Sequence, residues 1–597
     1  MPVTARALPA LVIASCSLAS ACADDRPAPT PDLGTDTDDA RDASPDAANP
    51  DVGPSELTPF HLDRPLAIAL TVDPSEWDAL RFDAPELLFL ESETCPPGPR
   101  PDAFDWHPAA MSVDGVALGA VEIRKKGFLG SLDPTKPSLK VKGADGQPLL
   151  GLGRLTLNND HDDPTHLRQC LAYATFAAAG LAAPRCGLAT VSVNGEPLGV
   201  FTQVESIDAD FLTAHYGDAK ADLYEGQLAD FREPELVMFE PKTDDTDATL
   251  APLRAVATAL LAPGSVVDAL EPVLDVDRFL TYWATEVLVT FWDGYSGNTN
   301  NYYAVVNPQT GKVEIVPWGT DEVMKHPADY ADGWLGARGD MPWSVFAHGF
   351  IAHRLYADAT GRERYEARLR ERVATWDAAA LTAWIEREAA VLEPVVLARE
   401  RAGWSAEIAA LKAFVAAQRP RLEAALDAGL PAWDRGTRLF ECAREVRRAV
   451  GSFSAPWDSL ADDPLTTGEG AVTETVGDSS NDALLVRALS GPIDDGRSVR
   501  LQVGYGPTDD GRFAFLQIDL PRELAQPGHI VLDGGQAYGQ FALVAADLSA
   551  IEPAGFVLNG TLDLDQVSLT PGGVISGRFA APVGAIVWDT SDPLAAR

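Results

Sequence analysis

Residues 292–303 read Trp-Asp-Gly-Tyr-Ser-Gly-Asn-Thr-Asn-Asn-Tyr-Tyr, a polar loop between a predicted helix and a predicted hairpin. Asp293 and Asn298 lie five residues apart in this loop, and Pro-Trp-Gly-Thr-Asp follows at 317–321, where the hairpin ends. A loop carboxylate, an amide and a second carboxylate one hairpin later can converge on one point. Phosphoryl-transfer sites use such a set to orient a hydroxyl and to hold Mg²⁺. The same residue types also form ordinary turns.

A basic, glycine-containing segment lies upstream of this loop. Residues 124–131 read Arg-Lys-Lys-Gly-Phe-Leu-Gly-Ser, and residues 136–142 read Lys-Pro-Ser-Leu-Lys-Val-Lys. Strand alternation places Lys140 and Lys142 on one face. A glycine loop lets the backbone approach a phosphate, and a strand ammonium neutralises its charge. A solvated edge strand protected by lysines would give the same pattern.

Hydrophobic periodicity divides the chain into β and α regions. Strand-like alternation fills residues 58–160 and returns on both sides of Asn194-Gly195, a strong hairpin signal. Helical periodicity covers 164–180, 250–290 and 342–430, and the segment 301–318 predicts a hairpin that turns at 308–311. Beyond about Gly436, short apolar strands between Gly, Asp and Pro turns predict a β-sandwich.

Taken together, these segments resemble the CotH (spore coat protein H) kinase family of bacterial atypical kinases. The matching segments are VEIRKKGFLGS, KPSLKVK, LRQCLAYATFAAAGLAAPR, VSVNGEPLGVFTQVESID, LYEG, DRFLTYWATEVLVTFWDGYSGNTNNYY and GKVEIVPWGTD. The resemblance covers roughly residues 60–430. It implies an α+β fold with a kinase-like, two-lobed domain and ATP-dependent phosphorylation of protein Ser or Thr, with Mg²⁺ or Mn²⁺ as the metal.

The resemblance also implies a role for each candidate site residue. The catalytic aspartate of the family matches Asp293. The remaining assignments are Asn298 and Asp321 as metal ligands, Lys140 as the strand lysine that holds phosphate, and Arg124, Lys126 and Glu205 as further nucleotide-binding residues.

Two positions depart from the family pattern. The usual Pro-Trp-Asp-x-Asp has Gly319 in place of its first aspartate, and Gln169 stands where the family often has a glutamate that pairs with the lysine. A neutral amide cannot form that ion pair, so Asp160, Asp162 or Asp163 substitutes or catalysis is weak or absent. The alternative function is therefore a catalytically degenerate, kinase-like surface protein with a binding or structural role.

Composition narrows the choice of partner. The chain has 597 residues, 46% of them hydrophobic and 23% charged, which is ordinary for a globular protein. Its 88 acidic and 47 basic residues give a formal net charge of −41. A field of this sign repels phosphate backbones, so we expect no nucleic-acid partner. It favours a protein substrate that presents Ser or Thr, and a basic substrate suits the charge of the chain.

The N-terminus has the pattern of an export signal. A single arginine precedes an apolar stretch with small residues at its end, and Cys16 and Cys22 both resemble lipid-attachment cysteines. Cys16 has the better preceding residues, but Cys22 is favoured because an acidic, weakly apolar segment begins directly after it. Plain secretion without lipid attachment is the alternative. The sequence thus predicts a lipoprotein-type signal peptide at 1–22, a disordered linker at 23–57, a kinase-like domain at 58–435 and a β-sandwich domain at 436–597. The expected location is the cell envelope, as an outer-membrane lipoprotein or at the cell surface.

Four cysteines remain beyond the signal peptide: Cys95, Cys170, Cys186 and Cys442. An even number in an exported protein permits disulfide bonds. Pairing Cys170 with Cys186 and Cys95 with Cys442 is one of three arrangements, and the sequence does not choose among them.

Overall fold

The computed structural model describes residues 59–83, 98–99, 104–127, 129–243, 246–325, 341–438, 441–493, 496–508, 511–532, 537–544, 551–557 and 560–588. The predicted signal peptide with Cys16 and Cys22, and the predicted linker, lie outside these residues. The described chain mixes helices and strands, as the sequence predicts.

Seven strands form a closed barrel in the order β1-β2-β3-β4-β5-β7-β6, with β6 parallel to β1. They are β1 (Leu66–Val72), β2 (His107–Val113), β3 (Val116–Lys125), β4 (Leu139–Gly143), β5 (Leu155–Asn158), β6 (Cys186–Val193) and β7 (Glu196–Val204). Alternate residues point inward, such as Leu66, Ile68 and Leu70 on β1. Helix α1 (Pro74–Phe82), which the sequence did not predict, begins after Asp73, whose side chain accepts from the Ser75 N–H.

Helix α2 (Arg168–Ala178) follows β5 and is tied to the barrel by a disulfide bond between Cys170 and Cys186. This bond settles one half of the pairing that the sequence left open. Cys95 lies outside the described residues, and the side chain of Cys442 is not among those described.

A second sheet has the strand order β11-β10-β8-β9, with β8 (Leu223–Gly226), β9 (Phe239–Pro241), β10 (Tyr302–Val306) and β11 (Val313–Pro317). The antiparallel pairing of β10 with β11 confirms the predicted hairpin. The helices around this sheet are α3 (Ala209–Tyr216), α4 (Ala251–Leu260), α5 (Val266–Leu270), α6 (Val276–Leu288), α7 (Tyr295–Asn298), α8 (Phe350–Ala357), α9 (Ala359–Ala374), α10 (Ala378–Leu392) and α11 (Arg401–Asp427).

Helix α6 lies at the centre of the largest hydrophobic core. The ring of its Trp283 stacks on Tyr365 of α9 at 3.8 Å between centroids, and the Trp283 indole N–H donates to the Phe346 carbonyl at 2.6 Å. This packing holds α6 in the core, and the loop around Asp293 follows the C-terminal end of that helix. Within the described residues, none of the helices is long and apolar enough to cross a membrane.

The C-terminal strands form one eleven-stranded antiparallel sheet, so the predicted two-sheet sandwich is corrected to a single curled sheet. Its strands are β12 (Glu441–Pro456), β13 (Glu469–Val476), β14 (Ser479–Asp482), β15 (Leu485–Ile493), β16 (Ser498–Gly506), β17 (Phe513–Pro521), β18 (Gly528–Leu532), β19 (Tyr538–Val544), β20 (Ile551–Val557), β21 (Gly560–Val567) and β22 (Val574–Trp588). The sequence could not distinguish the two forms, because each buries one face of every strand.

Curling brings distant strands of this sheet together around one hydrophobic core. The Tyr505 hydroxyl on β16 donates to Glu474 on β13 at 3.0 Å, although five strands lie between them in the order of the sheet. Arg447 of β12 pairs with the same carboxylate at 2.8 Å. The segment that follows β17 contacts helix α1, since Arg81 binds both carboxylate oxygens of Glu523.

Candidate functional site

The loop that carries Asp293 is shaped by close packing under two glycines. A Cβ at Gly294 would collide with Glu286 of α6, and a Cβ at Gly297 would collide with the Trp292 carbonyl. The Glu286 carboxyl accepts from the Ser296 N–H at 3.2 Å, at the start of the short helix α7. The two glycines therefore let the loop fold tightly over the end of α6.

Burial raises the pKa of Glu286 from its ordinary value of 4.5 to about 8. Between these two pH values the folded protein keeps the Glu286 proton, whereas the unfolded chain has lost it. The contribution of Glu286 to the stability of the folded state is therefore complete below about pH 4.5 and is lost as the pH rises through 8. The shift corresponds to roughly 4–5 kcal/mol. Between pH 5 and pH 9 the free energy of unfolding of the parent should therefore fall more than that of the Glu286→Gln variant. The expected difference between the two falls is roughly 4–5 kcal/mol. Urea unfolding at several pH values measures this, and parallel curves would contradict it.

Three side-chain amides surround the Asp293 carboxylate. Asn298 Nδ2 donates to Oδ1, while Asn300 and Asn301 donate to Oδ2 through their Nδ2 atoms at 3.2 and 2.5 Å. The sequence predicted that Asp293 and Asn298 meet, but it assigned nothing to Asn300 or Asn301. The asparagine-rich run at 298–301 was the available signal.

The oxygen of Asn298 is also engaged. Its Oδ1 accepts from Arg438 Nε at 3.0 Å, and Arg438 Nη1 lies 3.4 Å from Thr299 Oγ1. This is the atom that the sequence assigned to a metal, so Asn298 does not fit a metal ligand in this arrangement. Nothing in the sequence pointed to Arg438, which lies 140 residues away.

Carboxylates from two segments lie close together near Asp293. They are Asp162 before α2 and the pair Asp321 and Glu322 after β11, and they form what we call the acidic side of the site. The pKa of Asp321 is raised to about 8, first by burial and then by the nearby charges of Asp162 and Asp293, whereas Lys126 acts in the opposite direction. Burial and the charges of Asp162, Asp293 and Asp321 likewise raise the pKa of Glu322 well above its ordinary range. Carboxylates that repel one another in this way are suitable oxygen ligands for a divalent cation. Within the described residues, however, no group of three or more His, Cys, Asp or Glu side chains has metal-binding geometry.

Gly319 has a structural reason to lack a side chain. It adopts a left-handed conformation with φ of +54°, and an added Cβ would lie 2.6 Å from Asn301 Oδ1. The space beside position 319 is thus filled by an amide that binds Asp293. The missing carboxylate of the family pattern is replaced here by a neutral contact.

Lys140 projects from the outer face of β4, opposite Arg124 of β3. The pKa of Lys140 is lowered to about 7, mainly by burial and also by the charges of Arg124, Lys242 and Lys126, whereas Glu225 on β8 acts in the opposite direction. Among the described residues, its ammonium has no hydrogen bond or ion pair. The barrel therefore presents a partly desolvated cation toward the second sheet, where an anion would be stabilised.

Lys126 is the lysine that connects to helix α2. Its ammonium donates to Asn158 Oδ1 and lies 5.7 Å from the centre of the Trp318 ring. Asn158 in turn donates to Gln169 Oε1 at 2.8 Å, and Thr320 Oγ1 lies 3.3 Å from the Gln169 carbonyl. Gln169, which replaces the glutamate of the family pattern, is therefore linked to Lys126 through the Asn158 amide and not by an ion pair.

Glu205 is occupied by a different contact. It is buried and accepts from the Arg185 backbone N–H at 2.9 Å and from Arg185 Nε at 3.0 Å. None of its described contacts reaches Asp293, Asp321 or Lys140. Glu205 therefore ties the end of β7 to the segment before β6, and a role toward nucleotide stays a prediction.

The three aspartates before α2 have separate environments. Asp160 contacts His166 Nδ1 at 2.8 Å, whereas Asp163 accepts from the Arg168 N–H at 2.8 Å and from the Thr165 N–H at 3.1 Å. Asp162 is the one whose charge acts on Asp321. Of the substitutes considered from the sequence, only Asp162 belongs to the acidic side of the site.

Most of the segments that build this site lie within the part of the chain that matches a known family model. Residues 123–410 match the family model described as CotH kinase protein, so this part of the chain carries a CotH kinase domain. The resemblance seen in the motifs is confirmed over that range.

Individual relatives are distant and match only part of the chain. The chain is 25% identical to inner spore coat protein H of Bacillus subtilis over 232 residues, covering 36% of this chain and 61% of that protein. It is 24% identical to invasin CotH7 of Rhizopus delemar over 243 residues, covering 38% of this chain and 40% of that protein. Among solved structures, the proinflammatory kinase CtkA of Helicobacter pylori matches with a TM-score of 0.26 and 11% identity, over 51% of this chain and 94% of that one.

Proposed function

We propose that this protein is an ATP-dependent protein Ser/Thr kinase of the CotH type. The observation that carries the proposal is the arrangement around the loop: Asp293 held by amides, Asp321 on the acidic side and Lys140 on the facing barrel strand. In this proposal the barrel and the helical body around the second sheet are two lobes with the nucleotide between them.

In this proposal each residue has one task. Lys140, with Arg124 and Lys126 beside it, binds the phosphates. Asp293 accepts the proton of the Ser or Thr hydroxyl while that oxygen bonds to the γ-phosphorus and the bond to the departing ADP oxygen breaks. Asp321 fits a ligand for Mg²⁺ or Mn²⁺, which when bound neutralises phosphate charge.

Location and partners follow from the sequence and from the names of relatives. We infer a cell-envelope or surface location, since one relative is named as a spore coat protein and another as an invasin. A lipid anchor at Cys22 or Cys16 would attach the protein to a membrane. The net charge of −41 favours a basic protein substrate over nucleic acid.

A second candidate is a kinase-like binding protein that has lost activity. The observation that favours it is Gly319, where Asn301 fills the space of a carboxylate. Only the kinase would transfer phosphate from ATP to a protein. Phosphoryl transfer by the parent, compared with that of variants at the site, therefore separates the two candidates.

The nucleotide site is tested by Lys140→Met. Loss of a charged contact to phosphate should lower ATP affinity by about 10- to 100-fold, measured by calorimetry with Mg²⁺. Lys142→Met is the matched control, because Lys142 lies on the same strand face but pairs with Glu122 at 3.0 Å. The ATP affinity of this variant should stay within about twofold of that of the parent.

The same experiment has a pH signature. Lys140 with a pKa of about 7 is charged below that value, and bound phosphate would raise the pKa. Binding above pH 7 then takes up a proton, so affinity should fall by up to about tenfold per pH unit from 7 to 8.5 in the parent and be flatter in Lys140→Met. A parent that binds no nucleotide would reject the kinase proposal.

A further inference from the structure

Arg438 is a buried cation that contacts the loop of the proposed active site. It lies between α11 and β12, its side chain is only 7% exposed, and its backbone N–H donates to the His348 carbonyl at 2.9 Å. The adjacent Trp433 ring packs edge-on against His348 at 4.9 Å. The segment that leads to the C-terminal sheet is thus fixed against the loop.

The guanidinium determines how Asn298 is used. An arginine side chain offers only donors, so the Asn298 oxygen must face Arg438 Nε and its NH₂ group must face Asp293, as observed. Rotating the amide by half a turn would place donors against donors on one side and two acceptor oxygens together on the other. Arg438 therefore fixes the Asn298 amide that helps to orient the Asp293 carboxylate.

We propose that the Arg438 guanidinium stands in for one of the two divalent cations of a protein-kinase site. Protein kinases hold two Mg²⁺ ions, one of them through the asparagine of the catalytic loop. Here the corresponding oxygen instead accepts a hydrogen bond from a permanently charged guanidinium, which opposes a second cation at the same place. The inference rests on the proposed function and predicts that this chain binds a single divalent cation with its nucleotide, on the side of Asp321.

The number of bound cations tests this directly. Mn²⁺ is titrated into the full chain with saturating AMP-PNP, and free Mn²⁺ is measured by electron paramagnetic resonance. We expect one Mn²⁺ per chain for the parent and for Arg438→Lys, which keeps a positive charge at the position. We expect two for Arg438→Ala, which removes the guanidinium that donates to the Asn298 oxygen. Arg435→Ala is the control from the same segment and should bind one.

The outcomes separate the inference from the proposed function. A parent that binds nucleotide with two Mn²⁺ overturns the role of Arg438 and leaves the kinase proposal standing. A folded Arg438→Ala variant that still binds one Mn²⁺ also overturns it. A parent that binds no AMP-PNP removes the proposed function, and the inference with it. If Arg438→Ala fails to fold, the stoichiometry of the parent and of Arg438→Lys still decides.

Discussion

Asp293→Asn is expected to lower phosphoryl transfer to a Ser-containing basic peptide by about 10³-fold, with ATP affinity within about threefold of the parent. The size follows from removal of a positioned general base. Affinity changes little because phosphate binding is assigned to Lys140 and its neighbours. Transfer is measured with radiolabelled ATP, and affinity is measured by calorimetry.

The surroundings of Asp293 add a cost in stability to this substitution. Three amides donate to the carboxylate, so an asparagine in either orientation places its own NH₂ group against Asn298 or against Asn300 and Asn301. We expect a loss of about 1–3 kcal/mol in the free energy of unfolding. Asp275→Asn is the matched control, because Asp275 caps α6 through the Arg278 N–H at 3.0 Å and asparagine caps equally well. Normal transfer by a folded Asp293→Asn variant would remove Asp293 from the mechanism.

Local pattern predicted most of the fold and the centre of the site. The hairpins at Asn194-Gly195 and at 308–311 follow from turn chemistry, and the predicted helical ranges contain α2, α4–α6 and α8–α11. The approach of Asp293 to Asn298 is a property of one short loop. The barrel closure and the curl of the C-terminal sheet depend on pairing between distant strands, which periodicity does not encode.

The remaining site contacts are tertiary and carried little signal. Lys126 reaches α2 through Asn158, a buried amide that reads as an ordinary strand end in the sequence. Strand alternation places Lys140 and Lys142 on the same face of β4, but it does not show what lies opposite that face. Arg438 stands in a connecting segment, and only the folded chain shows that it contacts the Asn298 oxygen.

Asp163→Ala and Asp162→Ala are expected to have opposite effects although the residues are neighbours. Asp163 is fully buried and accepts from the backbone N–H groups of Thr165 and Arg168 and from the Arg168 guanidinium at 3.2 Å. Its removal leaves the start of α2 uncapped and deprives a buried arginine of one of its two carboxylates, the other being Glu407. A cost of about 3–5 kcal/mol in the free energy of unfolding follows from breaking a buried pair.

Asp162→Ala removes a charge that raises the pKa values of Asp321 and Glu322. The Asp162 carbonyl that accepts from Lys325 Nζ at 2.9 Å is a backbone atom and stays in place. Without a divalent cation, relief of this repulsion should leave stability equal to or above that of the parent, whereas Mn²⁺ affinity should fall several-fold because one carboxylate of the acidic side is lost. Urea unfolding and Mn²⁺ titration of both variants measure the contrast. Equal destabilisation by the two substitutions would mean that Asp162 is a structural turn residue, and the acidic side of the site would then consist of Asp321 and Glu322 alone.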